Sequence, residues 1–187
     1  MNAGRAKALV AIALGMAMTA TAFSVQQREV PVAMQTLAAG LIEVGTEQES
    51  YRVDEPIRIG VNVERPLFLY LYTIDSATGE ASLLEPLNGG RARKLMPGDT
   101  AWLPARSLEF YADAPGTERI VAVASERALD LSAVRAAEAR GGVIDEVRMA
   151  AFFADMGVDV GQAGDEVHGG VRVAVRHLDV VVTPGSN

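Results

Sequence analysis

The sequence predicts a mainly β, α+β domain. About seven antiparallel strands form a sandwich or a partly open barrel, with a two-helix insertion before the last strand. Three observations carry this. From Leu41 onward, short apolar segments are separated by turn chemistry. Two segments, Ile57–Val63 and Val171–Val182, alternate apolar and polar residues with the period of a half-buried strand. One stretch, about 131–157, changes to helix formers bounded by cap and stop residues.

Taken in order, Tyr51–Pro56 contains a turn and Ile57–Val63 is the first strand with clear alternation. Pro66 resets the chain. Leu67–Ile74 is apolar on both faces, as a central strand covered on two sides must be. Asp75–Gly79 supplies a turn, and Glu80–Leu84 returns as the second arm of a hairpin ended by Pro86. Residues 87–94 form a polar loop with two adjacent glycines. Pro97-Gly98 is a turn and Trp102 begins a short strand. Leu108–Tyr111 and Glu118–Ala124 are two further strands.

Asp130 and Ser132 can cap a helix over Ala133–Arg140, stopped by Gly141-Gly142. A second helix, about Ile144–Met156, gathers Val147, Ala151 and Ala154 on one side with Ile144 and Phe152 nearby, and ends at Gly157. Residues 161–170 form a flexible acidic loop. The final strand, Val171–Val182, is long enough to bend or bulge midway.

The 187 residues amount to one domain. With 49% apolar residues and 22% charge, intrinsic disorder is excluded. The absence of cysteine excludes zinc ribbons, thiol nucleophiles, disulfide frameworks and a lipidated cysteine. A net charge of −7 has the wrong sign for a protein that grips a nucleic-acid duplex.

Residues 1–22 read as a signal peptide. Arg5 and Lys7 precede an apolar run from Ala8 to Met18, and Ala20 and Ala22 are the small residues a signal peptidase requires. The run is short for a bilayer core that needs about 20 residues, so an uncleaved anchor is the lesser reading. Residues 23–40 are a leader and 41–183 the single domain. The expected location is therefore periplasmic or secreted, not lipid-anchored, with no membrane insertion after cleavage.

Few residues suggest chemistry. His168 and His177 could meet a carboxylate such as Asp165, Glu166 or Asp179 at a metal. Nine residues of extended chain, however, separate the two rings by about 30 Å unless it bends. No metal or cofactor is expected. Ser125, beside Glu126, reads as a strand-end cap, since no Gly-x-Ser-x-Gly elbow surrounds it. The neighbouring pairs Asp54/Glu55 and Asp165/Glu166 read as solvated turns, because adjacent side chains point apart. Phe68, Tyr70 and Tyr72 share one face of the central strand and read as core. Arg91, Arg93 and Lys94 form the one basic cluster in an acidic chain, suited to an anionic partner surface.

Several segments together resemble the bacterial family catalogued as domain of unknown function 4384. They are Tyr51–Ile59, Pro66–Asp75, Gly79–Asn88, Pro97–Pro104 and, the most specific, Pro115–Ser125 with its Pro-Gly-Thr-Glu start. The resemblance covers roughly 41–129. Glu85 stands where the family has an aromatic residue, Leu87 is inserted before Asn88, and Leu67-Phe68 replaces a Gly-Tyr pair. The family has no established reaction and occurs both alone and appended to larger proteins. The resemblance thus implies an accessory binding or regulatory domain.

The expected function is an exported, non-enzymatic domain that contacts another cell-envelope protein and no nucleic acid. Its contact residues are Asn88, Arg91, Arg93 and Lys94, on surfaces spanning 79–93 and 161–170. A small-ligand-binding or hydrolytic domain, with a pocket between the sheet and the inserted helices, is the alternative. Homo-oligomerisation through an open edge strand is a third reading.

Overall fold

The computed structural model describes residues 40–87, 90–98, 100–104 and 108–185. The expected signal segment, and the leader apart from Gly40, lie outside them. The run Leu67–Asp75 forms strand β4 (numbered, like the others, in chain order), and it is apolar on both faces because both are covered. Leu67, Leu69 and Leu71 point to one side and Tyr70, Tyr72 and Ile74 to the other, all of them buried. Strand β8, Gly116–Ser125, lies antiparallel to β4. Strand β10, Val171–Thr183, lies antiparallel to β8.

Short strands complete both margins of this seven-stranded sheet. β2 (Ser50–Arg52) and β9 (Gly164–His168) flank β10, whereas β5 (Ala81–Glu85) and β6 (Arg93–Leu95) flank β4. A second sheet holds β1 (Ile42–Thr46), β3 (Ile59–Val63) and β7 (Ala101–Leu103) in the order β1-β3-β7. Ile42, Val44, Ile59 and Val61 of this sheet meet Leu67, Leu69, Ile120, Leu178 and Val180 of the larger one in a single apolar core. Among the described residues the result is a sandwich, with no closed barrel.

The outer face of the large sheet is covered by two helices, α1 (Ser132–Ala139) and α2 (Glu146–Asp155). Val134 and Ala137 of α1, with Met149 and Phe153 of α2, bury against Tyr70, Tyr72, Val121 and Val123. Asp145 caps α2, its carboxylate accepting from the Arg148 N–H at 2.8 Å. Asp130, expected to cap α1, instead accepts from Ser132 N–H one position too early, and Leu131 occupies the cap. Val147, Ala151 and Ala154 do share a side of α2, but it is the exposed one.

Several expectations are corrected. Ten strands are described instead of about seven, and one pairing, β2 with β10, is parallel. The two helices precede a hairpin, not a lone strand. The segment read as a flexible loop carries β9, joined to β10 by Gly169 and Gly170. Both have positive φ, as a two-residue hairpin turn of this hand requires. Leu108–Tyr111 joins no ladder, and the Phe110 carbonyl accepts from Ile57 N–H at 2.7 Å. β10 keeps one register against β8 throughout. The bulge falls instead between β4 and β5, at Leu71/Tyr72.

Candidate functional site

The expected contact residues are found on one margin of the large sheet. Arg93 and Lys94 are exposed on β6, Arg91 is exposed in the approach to it, and Asn88 lies outside the described residues. β6 exists because Leu95 buries beside Leu67, which fixes Arg93 opposite Leu69 and Lys94 opposite Phe68. The Lys94 ammonium sits 5.5 Å from the centre of the Phe68 ring, so its stem is ordered while its charge stays in water. Glu85, on the neighbouring β5, is half-buried. Burial pushes its carboxyl up, while the Arg93 charge and backbone N–H work against that. From α1, the Arg135 guanidinium donates to the Gly90 carbonyl and ties the loop to the helical layer.

The opposite margin is acidic. β9 carries Asp165 and Glu166, with Val167 68% exposed between them and His168. Asp165 is held at 2.6 Å by Arg176, a buried residue of β10, and also accepts from Leu41 N–H at 2.8 Å. The hairpin brings the two histidines closer along the sheet than an extended chain would, yet they have separate surroundings. His168 packs over Gly157, whereas the His177 Nε2 lies 2.8 Å from the Val160 carbonyl. Among the described residues no group of histidines and carboxylates could hold a metal ion. Ser125 is fully buried, and its Oγ accepts from Arg127 N–H at 3.3 Å, the strand-end role expected of it.

The space between α2 and the sheet is filled. The Phe153 ring stacks on Tyr72 at 5.5 Å and meets Tyr70 edge-on at 6.5 Å. The opening that remains lies past the end of α2, a groove of about 300 Å³ lined by residues including Arg127, Met156, His168 and Val173. An apolar crevice between the sheets, beside Leu71, Leu84 and Phe110, holds about 40 Å³, far below the several hundred of a small-molecule pocket.

Next to that crevice, Asp75, Glu80, Asp113 and Glu118 line an acidic mouth. Burial chiefly, then the charges of Asp75 and Asp113, push the Glu118 carboxyl up to about 7 from an ordinary 4.5. A carboxyl with a raised folded-state pKa supports the fold fully below its unfolded value. That support is lost as pH climbs through the folded one, here across the interval from about 4.5 to about 7. Glu118→Gln, neutral at every pH, is therefore expected to match the parent at about pH 4. At about pH 8 it should be more stable by about 1 kcal/mol, the full linkage value being cut by solvent screening. Thermal unfolding of both proteins at the two pH values checks this.

The fold and its margins define a class: a β-sandwich with a helical layer on one face and oppositely charged edges on its larger sheet. Residues 50–128 match the family model described as Domain of unknown function (DUF4384). The match runs from β2 through β8 and stops short of α1. The helices, β9 and the central β10 therefore lie beyond it. No curated protein and no solved structure matches the chain.

Proposed function

We propose that the protein is an exported, non-enzymatic accessory domain of the cell envelope that binds another envelope protein through the margin bearing Arg91, Arg93 and Lys94. The supporting observation is β6 itself. It is a short, exposed, basic strand with no strand on its outer side among the described residues. Such an edge offers backbone donors and acceptors together with a charge that selects an acidic partner. The N-terminal signal pattern and the location it implies, periplasmic or secreted, belong to the same reading.

A photo-reactive residue placed at position 94 in intact cells tests it, with one at exposed Val147 as control. A discrete cross-linked product specific to position 94, and lost in Arg91→Glu/Arg93→Glu, is the expected result. Equal labelling from both positions would refute it. Mass analysis of the mature N-terminus checks cleavage after Ala22.

The groove past α2 favours a second reading, a small-ligand-binding or hydrolytic domain, because its volume of about 300 Å³ reaches the lower end of ligand pockets. Saturable thermal stabilisation by a small molecule, abolished by filling the groove with Val173→Trp, would favour it over the first.

A further inference from the structure

Residues that face one another across the seven-stranded sheet form continuous rows, and the rows end in complementary side chains at its two margins. One row runs Glu166, Val173, Ser125, Phe68, Lys94. The next runs Asp165, Ala174, Ala124, Leu69, Arg93. One step further along, Val167 stands on the first margin and Leu95 on the second. The exposed acids Asp165 and Glu166 on β9 therefore stand at the same levels as the exposed bases Arg93 and Lys94 on β6, followed on β9 by exposed Val167 and on β6 by buried Leu95. Four antiparallel steps separate these strands, so both run in the same direction. Residues directly opposite share a face, which places Glu166 and Lys94 on the same side of the sheet.

We propose that β6 of one copy of this chain pairs in parallel with β9 of the next, with Lys94 beside Glu166, so that the large sheet continues from copy to copy. This rests on the reading of β6 as a binding margin and names its partner. Charge complementarity selects the pairing. Joining β9 to β9 or β6 to β6 would set like charges opposite one another, whereas β6 on β9 sets Lys94 against a carboxylate. Among the described residues neither Glu166 nor Lys94 has an ion-pair partner, and the Lys94 ammonium lies over the Phe68 ring, so both charges can engage a neighbour. Asp165 is already held by Arg176 and steadies the strand instead of competing for the next copy. The contact is head-to-tail and the sheet is twisted. Successive copies are therefore rotated, and the array is open instead of a closed ring. A three-residue edge is a small interface, so association is weak and screened by salt.

The test is sedimentation of the protein isolated from its own cells, over a range of concentrations at low and high salt. Average mass is expected to rise with concentration at low salt and to fall back at high salt. Lys94→Glu and Glu166→Lys are each expected to weaken association about tenfold by opposing like charges. Both positions are exposed, and unchanged melting curves certify the folds. An equimolar mixture of the two variants regains association, because each contact in an alternating array is again complementary. The double variant regains it alone. A wild type that stays monomeric up to millimolar concentration, single variants that associate like wild type, or a mixture that fails to recover would each overturn the proposal. If the wild type is monomeric while the cross-linker at position 94 still captures a different envelope protein, only the self-pairing falls and the binding-domain reading stands.

Discussion

Phe153→Ala is expected to lower the free energy of unfolding by about 3–5 kcal/mol, as a broad loss of stability and not a local defect. Phe153 is fully buried near the end of α2, stacked on Tyr72 and edge-on to Tyr70. Truncation removes the transfer energy of the ring and both aromatic contacts, and it leaves a void between a helix and a sheet that cannot easily close up. Its neighbour is the control. Phe152 is only half-buried, with the Arg148 guanidinium 5.7 Å from its ring centre, so Phe152→Ala is expected to cost about 1 kcal/mol or less. Denaturant unfolding of the two variants separates a helix that merely lies on the sheet from one keyed into it. Equal small losses in both would show that the helical layer is not anchored by Phe153.

The contrast between residues 152 and 153 also marks where sequence reasoning reached its limit. β4 was legible because a strand buried on both faces has no alternative but to be apolar throughout, and Leu67–Ile74 is. The hairpin at Asp75–Gly79 was legible because its turn is made locally. Asp75 accepts from Ala77 N–H, and Gly79 takes positive φ. The face of α2 was not legible, since alanines, valine and two adjacent phenylalanines leave the apolar stripe ambiguous and only Tyr70 and Tyr72 decide it. β9 was hidden for another reason. Gly-Asp-Glu-Val-His has the composition of a loop, and what makes it a strand is long-range: a turn of two glycines, a full ladder on β10, and Arg176 beneath. β6 was obscured likewise, because two of its three residues are basic and exposed. The basic cluster was visible as charge, but its position on a margin, level with an acidic one, emerges only from the register of five strands.

Arg176→Ala is expected to cost about 2–4 kcal/mol, and to do so by stranding its partners more than by removing packing. The Arg176 guanidinium is buried and donates to the carbonyls of Gly164 and Val175 at 3.1 and 2.9 Å and to Asp165 at 2.6 Å. Asp165 in turn accepts from Leu41 N–H, so one cation links β10 to β9 and to the entry of β1. Gly40 completes the arrangement, since any side chain there would run into the guanidinium. Without Arg176, a carboxylate only about a third exposed loses its counter-charge and two carbonyls lose a donor. If the cost lies in that stranded charge, Arg176→Met should be nearly as damaging as Arg176→Ala despite filling the space. Adding Asp165→Asn to Arg176→Met should then recover most of the loss, because a neutral amide can still accept from Leu41 N–H. If packing dominates instead, Arg176→Met alone will approach wild type and the second change will add nothing. Amide exchange locates the effect: Gly164–His168 and Leu41 are expected to lose protection ahead of β4 and β8. Because β9 is then released from its margin, Arg176→Ala and Arg176→Met should also lose the concentration-dependent association while the fold that carries β6 remains.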